Sequence, residues 1–321
     1  MQVIAITGAG SFIGTHLVKH LSMSDDLHLR LLVHRNRNMP LPEGANISVI
    51  QGELLKPETL KNFAGAGCTV VHLAYLNRHS AADNLAAAAN LADVCRKAGI
   101  RRLVHCSTAV VSGRVDTDKV TEETVPNPLK EYEIIKAKVE NILLEKASGL
   151  FETVILRPTA VFGRGGKNLL KLAGDLCNGN RTLNYFKSCL FQNRRMNLVC
   201  VDNVVSAIAF LIRTDRKVDR EIFIISDDEA MANNYRDVER YLMKRLGCKE
   251  YPIPPIQLPF VILKILLRLT GRTNTNPFLV YDCGKILSAG FKKPLSFEEG
   301  LSQFADWYAE SYYSETRMGS S

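Results

Sequence analysis

The first half of this chain alternates short apolar runs with stretches of helical periodicity, and that rhythm constrains the fold more than any other feature. VIAIT (3–7), LHLRLLV (27–33), ISVIQ (47–51), TVVHLA (69–74), RLVHCS (102–107) and TVILRP (153–158) are separated by helices expected from about Phe12, over Asn84–Ala98 and over Tyr132–Lys146. Runs so apolar read as strands buried on both faces, which a parallel sheet with helices on both sides provides. The expected fold class is α/β, a Rossmann-type doubly wound parallel sheet. After Pro158 the rhythm loosens into a helix at Leu169–Cys177, a strand at NLVCV (197–201), a helix at Asn203–Arg213 and a strand at EIFIIS (221–226). Mainly helical sequence follows to about 311. This predicts a dinucleotide-binding core over 1–165, with segments at about 197–226 returning to it, and a smaller substrate-binding lobe over 166–321.

With 321 residues the chain has room for one such unit and a lobe, so a single active site is expected. The net charge of +8 is spread without a long basic block, which argues against nucleic acid and fits a cleft for phosphorylated ligands. Eight cysteines without a CxxC pair or metal-type spacing read as reduced thiols of a cytoplasmic protein. MQVIAITGAG carries no signal-peptide pattern. No apolar run reaches the ~20 residues of a transmembrane helix. The one candidate for membrane contact is LPFVILKILLRLTGR (258–272), an apolar helix with Lys264, Arg268 and Arg272 every four residues. It reads as a lid or packing helix rather than a surface anchor, because a helix with so little polar face usually packs on protein.

Between the first strand and first helix lies TGAGSFIG (7–14). Gly8, Gly10 and Gly14 allow close backbone approach, and the amides of Ser11, Phe12 and Ile13 at the helix N-terminus can hold a pyrophosphate. After the second strand, an NAD site normally offers a carboxylate to the adenosine ribose. This chain has VHRNR, with Arg35 and Arg37 available to a 2′-phosphate, which favours NADP(H) and leaves NAD(H) possible. In EYEIIKAKVE, Tyr132 and Lys136 are four residues apart on one helix face. An ammonium there is expected to lower the phenol pKa and to hold ribose hydroxyls. Ser107 and Thr108 end the preceding strand with hydroxyls suited to a reacting oxygen. His16 and His20 have a metal-capable spacing without a third ligand and read as packing or surface residues. GRGG (163–166) lacks the Lys and Ser/Thr of a triphosphate loop and reads as a flexible turn at the cleft.

Taken in order, TGAGSFIG, GELL, VVHLAY, HCSTAVVSG, YEIIK and LRPTAVFGRG resemble the landmarks of the extended short-chain dehydrogenases/reductases, the NAD-dependent epimerase/dehydratase family. The resemblance implies that Thr108 orients a sugar hydroxyl or ketone, Tyr132 is the acid/base, and Lys136 supports both the tyrosine and the nicotinamide ribose. It implies that Glu53 and Leu54 lie by the adenine, that Leu73, Ala74 and Tyr75 lie beneath the cofactor, and that Ser107, Pro158 and Val161 complete the cofactor site. It also implies a homodimer paired through the helices of Asn84–Ala98 and Tyr132–Lys146. Two departures stand out: Ser11 replaces the family's middle glycine, and Val111, Ser112 and Gly113 stand where VYG is usual.

NRRMNLVCVDNVVSAI resembles the segment that brings an arginine to a substrate diphosphate, making Arg195 the candidate and Arg194 the reserve. Together with FLVYDCGKILSAGFKKPLSFEEGL it resembles bacterial 4-ketoreductases of UDP-4-keto-6-deoxy-N-acetylhexosamines, which supply surface polysaccharide. The implied reaction is NADPH reduction of the C4 ketone of a UDP-sugar. Alternatives are a nucleotide-sugar 4-epimerase, a reductase of a hydrophobic ketone, and a non-catalytic dinucleotide-binding regulator.

Overall fold

The computed structural model describes residues 1–34, 46–269 and 273–313, with the side chains of the last two left out. The chain opens with β1 (Gln2–Thr7), α1 (Phe12–Ser22), β2 (Leu27–Val33), β3 (Ile47–Gln51), β4 (Thr69–His72), α2 (Ala81–Ala98) and β5 (Arg102–Cys106). It continues through β6 (Lys119–Val120), α3 (Glu131–Ala147), β7 (Glu152–Pro158), β8 (Ala160–Phe162), α4 (Leu170–Asn178), α5 (Arg181–Phe191), β9 (Leu198–Cys200), α6 (Val201–Arg213) and β10 (Ile222–Ile225). It closes with α7 (Tyr235–Arg245), α8 (Phe260–Leu269), β11 (Val280–Tyr281), α9 (Gly284–Ser288) and α10 (Phe297–Tyr308).

Seven strands form one parallel sheet in the order β3-β2-β1-β4-β5-β7-β10. Winding reverses between β1 and β4, and a doubly wound sheet takes its ligands in the crevice at the carboxyl ends of the strands flanking that reversal, here Thr7 and His72. The period of two in a strand sorts β1: Ile4 and Ile6 pack with Leu17 of α1 and Ile208 of α6, whereas Ala5 packs with Leu91 of α2 and Val139 of α3. α2 starts three residues before its apolar pattern does, because Ser80 and Asp83 form a reciprocal capping box. Asn84 is then free to bind the preceding loop, donating to the carbonyls of Leu76 and Ser80.

The lobe has its own apolar cluster around Phe162, Leu242, Phe304 and Tyr308. A buried polar network ties it to the sheet. Asp227 accepts from the Cys200 amide at 2.8 Å, Asn203 at 3.0 Å and Lys293 at 2.8 Å. Asp228 accepts from the Tyr281 amide and from Asn197, both at 2.8 Å. Burial pushes both carboxyls up, Asp228 to about 6, and the donors hold them back.

Two parts of the lobe differ from the sequence expectation. α5 has no counterpart in it; Asn180 starts this helix by accepting from the Leu183 amide at 3.0 Å. The 258–272 stretch is helical over α8, yet among its described residues only Leu263 and Leu267 are buried, while Val261, Ile262, Ile265, Leu266 and Leu269 are exposed. It is therefore not simply a packing helix.

α3 is clamped to β7 by a buried bidentate pair, Arg157 to Glu140, at 3.0 and 2.5 Å. Removing one partner strands the other charge in the interior. Arg157→Met is expected to lower stability by about 3–5 kcal/mol, read as an earlier midpoint in urea unfolding.

Candidate active site

The turn after β1 requires glycine for two separate reasons. Gly8 has φ +73°, and a Cβ there would lie 2.7 Å from the Ala74 amide nitrogen. A Cβ on Gly14 would lie 2.2 Å from the Gly8 carbonyl oxygen. The β1 and β4 turns thus touch, bringing Leu73 and Ala74 against the glycine loop; the Leu73 amide donates to Thr7 at 3.1 Å. Ser11, in the place of the usual glycine, caps α1 by accepting from the Gly14 amide at 3.1 Å. Gly10 and Ser11 face solvent. Phe12, Ile13 and Val161 pack on one edge of the sheet core, with Pro158 buried at the end of β7. The GRGG turn closes over this edge: a Cβ on Gly166 would meet the Phe12 ring at 2.7 Å, and His16 bonds the Arg164 carbonyl at 2.8 Å. His16 is a packing residue, and no metal-binding cluster occurs among the described residues.

Lys136, Tyr132 and Tyr75 meet where α3 crosses the end of β5. Lys136 is buried and donates to the Cys106 carbonyl at 3.2 Å, with its ammonium 5.7 Å from the Tyr75 ring centre. Tyr75 and Tyr132 meet edge to face, centroids 5.1 Å apart. The sequence predicted a phenol lowered by Lys136; without cofactor, desolvation acts on Tyr132 in the opposite direction. Lys136 spends one of its three donors on the Cys106 carbonyl, and burial, followed by Cys106 and Tyr75, pushes the Tyr132 phenol up to about 12 even though the ring is half-exposed. Tyr132 therefore carries its proton at neutral pH. Burial lowers the Lys136 ammonium.

Beneath this group lie two residues the sequence reading left unassigned. His72 bonds Thr7 at 2.7 Å and stacks on His105, centroids 5.0 Å apart. Burial first and Lys136 second lower both imidazoles, His72 to about 3, so both are neutral. A small, partly open cavity of about 10 Å³ among His72, Tyr75, Asn84, His105 and Lys136 is the size of one water. Glu140 was missed as well, although its i+4 spacing from Lys136 is the signal that would have found it.

Ser107 is buried with an unpartnered hydroxyl, and Thr108 caps the next turn, accepting from the Val110 amide at 3.5 Å. In the altered VYG segment, Ser112 donates to the Ala109 carbonyl at 2.9 Å, and Gly113 has no room for a Cβ, which would sit 1.8 Å from the Asn127 carbonyl oxygen. Glu53 is turned toward Lys56 at 3.0 Å and His34 at 3.2 Å, and Lys56 lowers its carboxyl. Leu54 accepts from Asn90 at 3.0 Å. Arg35 and Arg37 lie outside the described residues. Arg195 stands in the lobe, donating to the Ala230 carbonyl at 3.0 Å, and Arg194 lies over the Phe191 ring.

A glycine turn at the head of a parallel sheet, with a tyrosine and a buried lysine one helical turn apart across the crevice, defines an oxidoreductase-type enzyme of the short-chain dehydrogenase/reductase class. The chain belongs to the NAD dependent epimerase/dehydratase family, whose sequence profile matches residues 4–226. It is 26% identical to UDP-glucose 4-epimerase of Vibrio cholerae, over 96% of each chain. It is 27% identical to 2-alkyl-3-oxoalkanoate reductase of Shewanella oneidensis, over 93% of this chain and 84% of that one. Among solved structures it is similar in fold to dTDP-glucose 4,6-dehydratase of Bacillus anthracis in complex with NAD, with TM-score 0.74, 18% identity and 98% of each chain covered.

The raised phenol is directly measurable. Difference absorbance of tyrosinate between the wild type and Tyr132→Phe, without cofactor, is expected to show no ionisation of Tyr132 below pH 10; a midpoint near pH 8 would show that Lys136 governs the phenol after all.

Proposed function

We propose that this enzyme reduces the C4 ketone of a nucleotide-activated 4-keto-6-deoxy sugar, with NADP(H) preferred and NAD(H) accepted. The observation that carries the reading is the placement of Tyr132 one helical turn from the buried Lys136 and beside the glycine turn, since reduction of a ketone needs a proton donor beside the hydride source. The glycine turn fits a dinucleotide: Gly8 and Gly14 have no space for side chains, so the loop lies as close to β4 and α1 as backbone allows, and a helix N-terminus faces the crevice.

When bound, the nicotinamide supplies the hydride. Tyr132 Oη holds the proton that the carbonyl oxygen takes, Thr108 Oγ1 and Ser107 Oγ orient that oxygen, and Lys136 holds ribose hydroxyls. Gly8, Gly10, Ser11, Phe12, Ile13 and Gly14 form the pyrophosphate cradle, with Leu73, Ala74, Tyr75, Pro158 and Val161 along the ring system and Glu53 and Leu54 by the adenine. The charge of Glu53 is already met by Lys56, which supports leaving the 2′-phosphate to Arg35 and Arg37. Arg195 grips the diphosphate, giving up its bond to the Ala230 carbonyl. A homodimer through α2 and α3 belongs to the same reading.

The nearly full-length likeness to UDP-glucose 4-epimerase supports a nucleotide sugar and keeps 4-epimerisation as a second outcome of the same residues. The likeness to 2-alkyl-3-oxoalkanoate reductase, together with the exposed apolar α8, favours a hydrophobic ketone as the competing substrate class.

The test is incubation of the purified protein with NADPH and a UDP-4-keto-6-deoxy-N-acetylhexosamine, following nicotinamide absorbance and the sugar product. One NADPH lost per 4-hydroxy sugar formed is expected. Epimer interconversion of UDP-hexoses without net loss supports the epimerase instead, and oxidation of NADPH only with a long-chain 3-keto acid overturns the sugar reading.

A further inference from the structure

α8 divides into three sectors. At about 100° per residue, Leu263 and Leu267 form one buried stripe, and Val261, Ile262, Ile265, Leu266 and Leu269 fall within a sector of about 140° on the other side. Those five are 64%, 45%, 53%, 41% and 81% exposed. Lys264 and Arg268, also exposed, fall between the buried stripe and the apolar sector. Beside this helix, Ile253 and Ile256 of the preceding segment and Leu183 and Phe186 of α5 are exposed too. From 251 to 281 the sequence contains no aspartate or glutamate.

We infer that α8 docks this enzyme on the surface of an anionic phospholipid bilayer, its apolar sector entering the interface and Lys264 and Arg268 resting at the headgroup phosphates. An exposed apolar sector bordered by cations is what a helix lying in a bilayer interface presents. Long cationic side chains reach from such a helix to the headgroups with their stems on apolar surface. A second copy of the chain is the poorer occupant. Twofold pairing would set Lys264 and Arg268 against themselves, and the segment offers no carboxylate to meet them. α8 is too short and too charged to cross a membrane, and no described helix is long and apolar enough to do so.

Docking there would stand close to the candidate active site. Thr273 donates to Glu133 at 2.7 Å, and Glu133 is the neighbour of Tyr132. Three residues lie between Leu269 and Thr273, four Cα steps that span at most about 14 Å when extended.

The test is flotation of the full chain with vesicles of phosphatidylcholine alone or of equal parts phosphatidylcholine and phosphatidylglycerol. Binding to the phosphatidylglycerol vesicles is expected, weakened by high salt. Lys264→Gln with Arg268→Gln should lower the partition coefficient roughly 25-fold, about five-fold for each cation removed near an anionic surface. Ile265→Asn with Leu269→Asn should abolish flotation; both sites are exposed, so the melting temperature reports whether the fold is kept. A separate reporter covers the case in which that variant misfolds: Ile262→Trp should emit at shorter wavelength when phosphatidylglycerol vesicles are added. No flotation and no emission shift, or flotation indifferent to all four substitutions, overturns the inference. A fall from dimer to monomer mass in the Asn variant, without vesicle binding by the wild type, assigns the face to a second copy and overturns it as well.

Discussion

Everything at the candidate site depends on how α3 buries a lysine and a glutamate against the sheet. Lys136 and Glu140, one turn apart, face β5 and β7 with almost no access to water. Each charge needs a partner there, because an unpaired buried charge costs several kcal/mol. Lys136 has the Cys106 carbonyl and the Tyr75 ring, and Glu140 has both nitrogens of the Arg157 fork. With the helix fixed in rotation by these partners, Tyr132, one turn earlier, can only emerge at the carboxyl edge of the sheet, beside the glycine turn. The neutral His72–His105 stack beneath adds no competing positive charge.

The same edge explains why the first βα turn and the β4 loop are inseparable. Gly8 lies against Ala74, and the residue after Ala74 is the tyrosine that touches both Lys136 and Tyr132. The glycine turn, Tyr75, Lys136 and Tyr132 are thus parts of one packed unit. The lobe is attached differently, through Asp227 and Asp228, whose donors come from β9, α6, β11 and Lys293.

The sheet was legible in the sequence because buried parallel strands are continuous apolar runs and the turn between β1 and α1 needs glycine at fixed places. Tyr132 and Lys136 were legible through their spacing. The direction of the phenol shift was not, since spacing says that an ammonium is near but not how far burial desolvates the phenol. His72 and His105 looked like ordinary strand residues; their stacking depends on the register of β4 with β5, which pairs them directly. α8 was read as packed because its composition suits a core, and composition does not say which of its faces meets protein.

The central claim is that Tyr132 gives the proton while Lys136 and the glycine turn hold the cofactor, so the two tasks should separate in one variant. Single-turnover reduction of the ketone by Tyr132→Phe, with NADPH affinity measured on the same protein, tests this most directly. The account predicts a rate at least about 100-fold lower with the cofactor Kd unchanged. A rate equal to the wild type, or a loss of rate that merely tracks a loss of cofactor affinity, would contradict it.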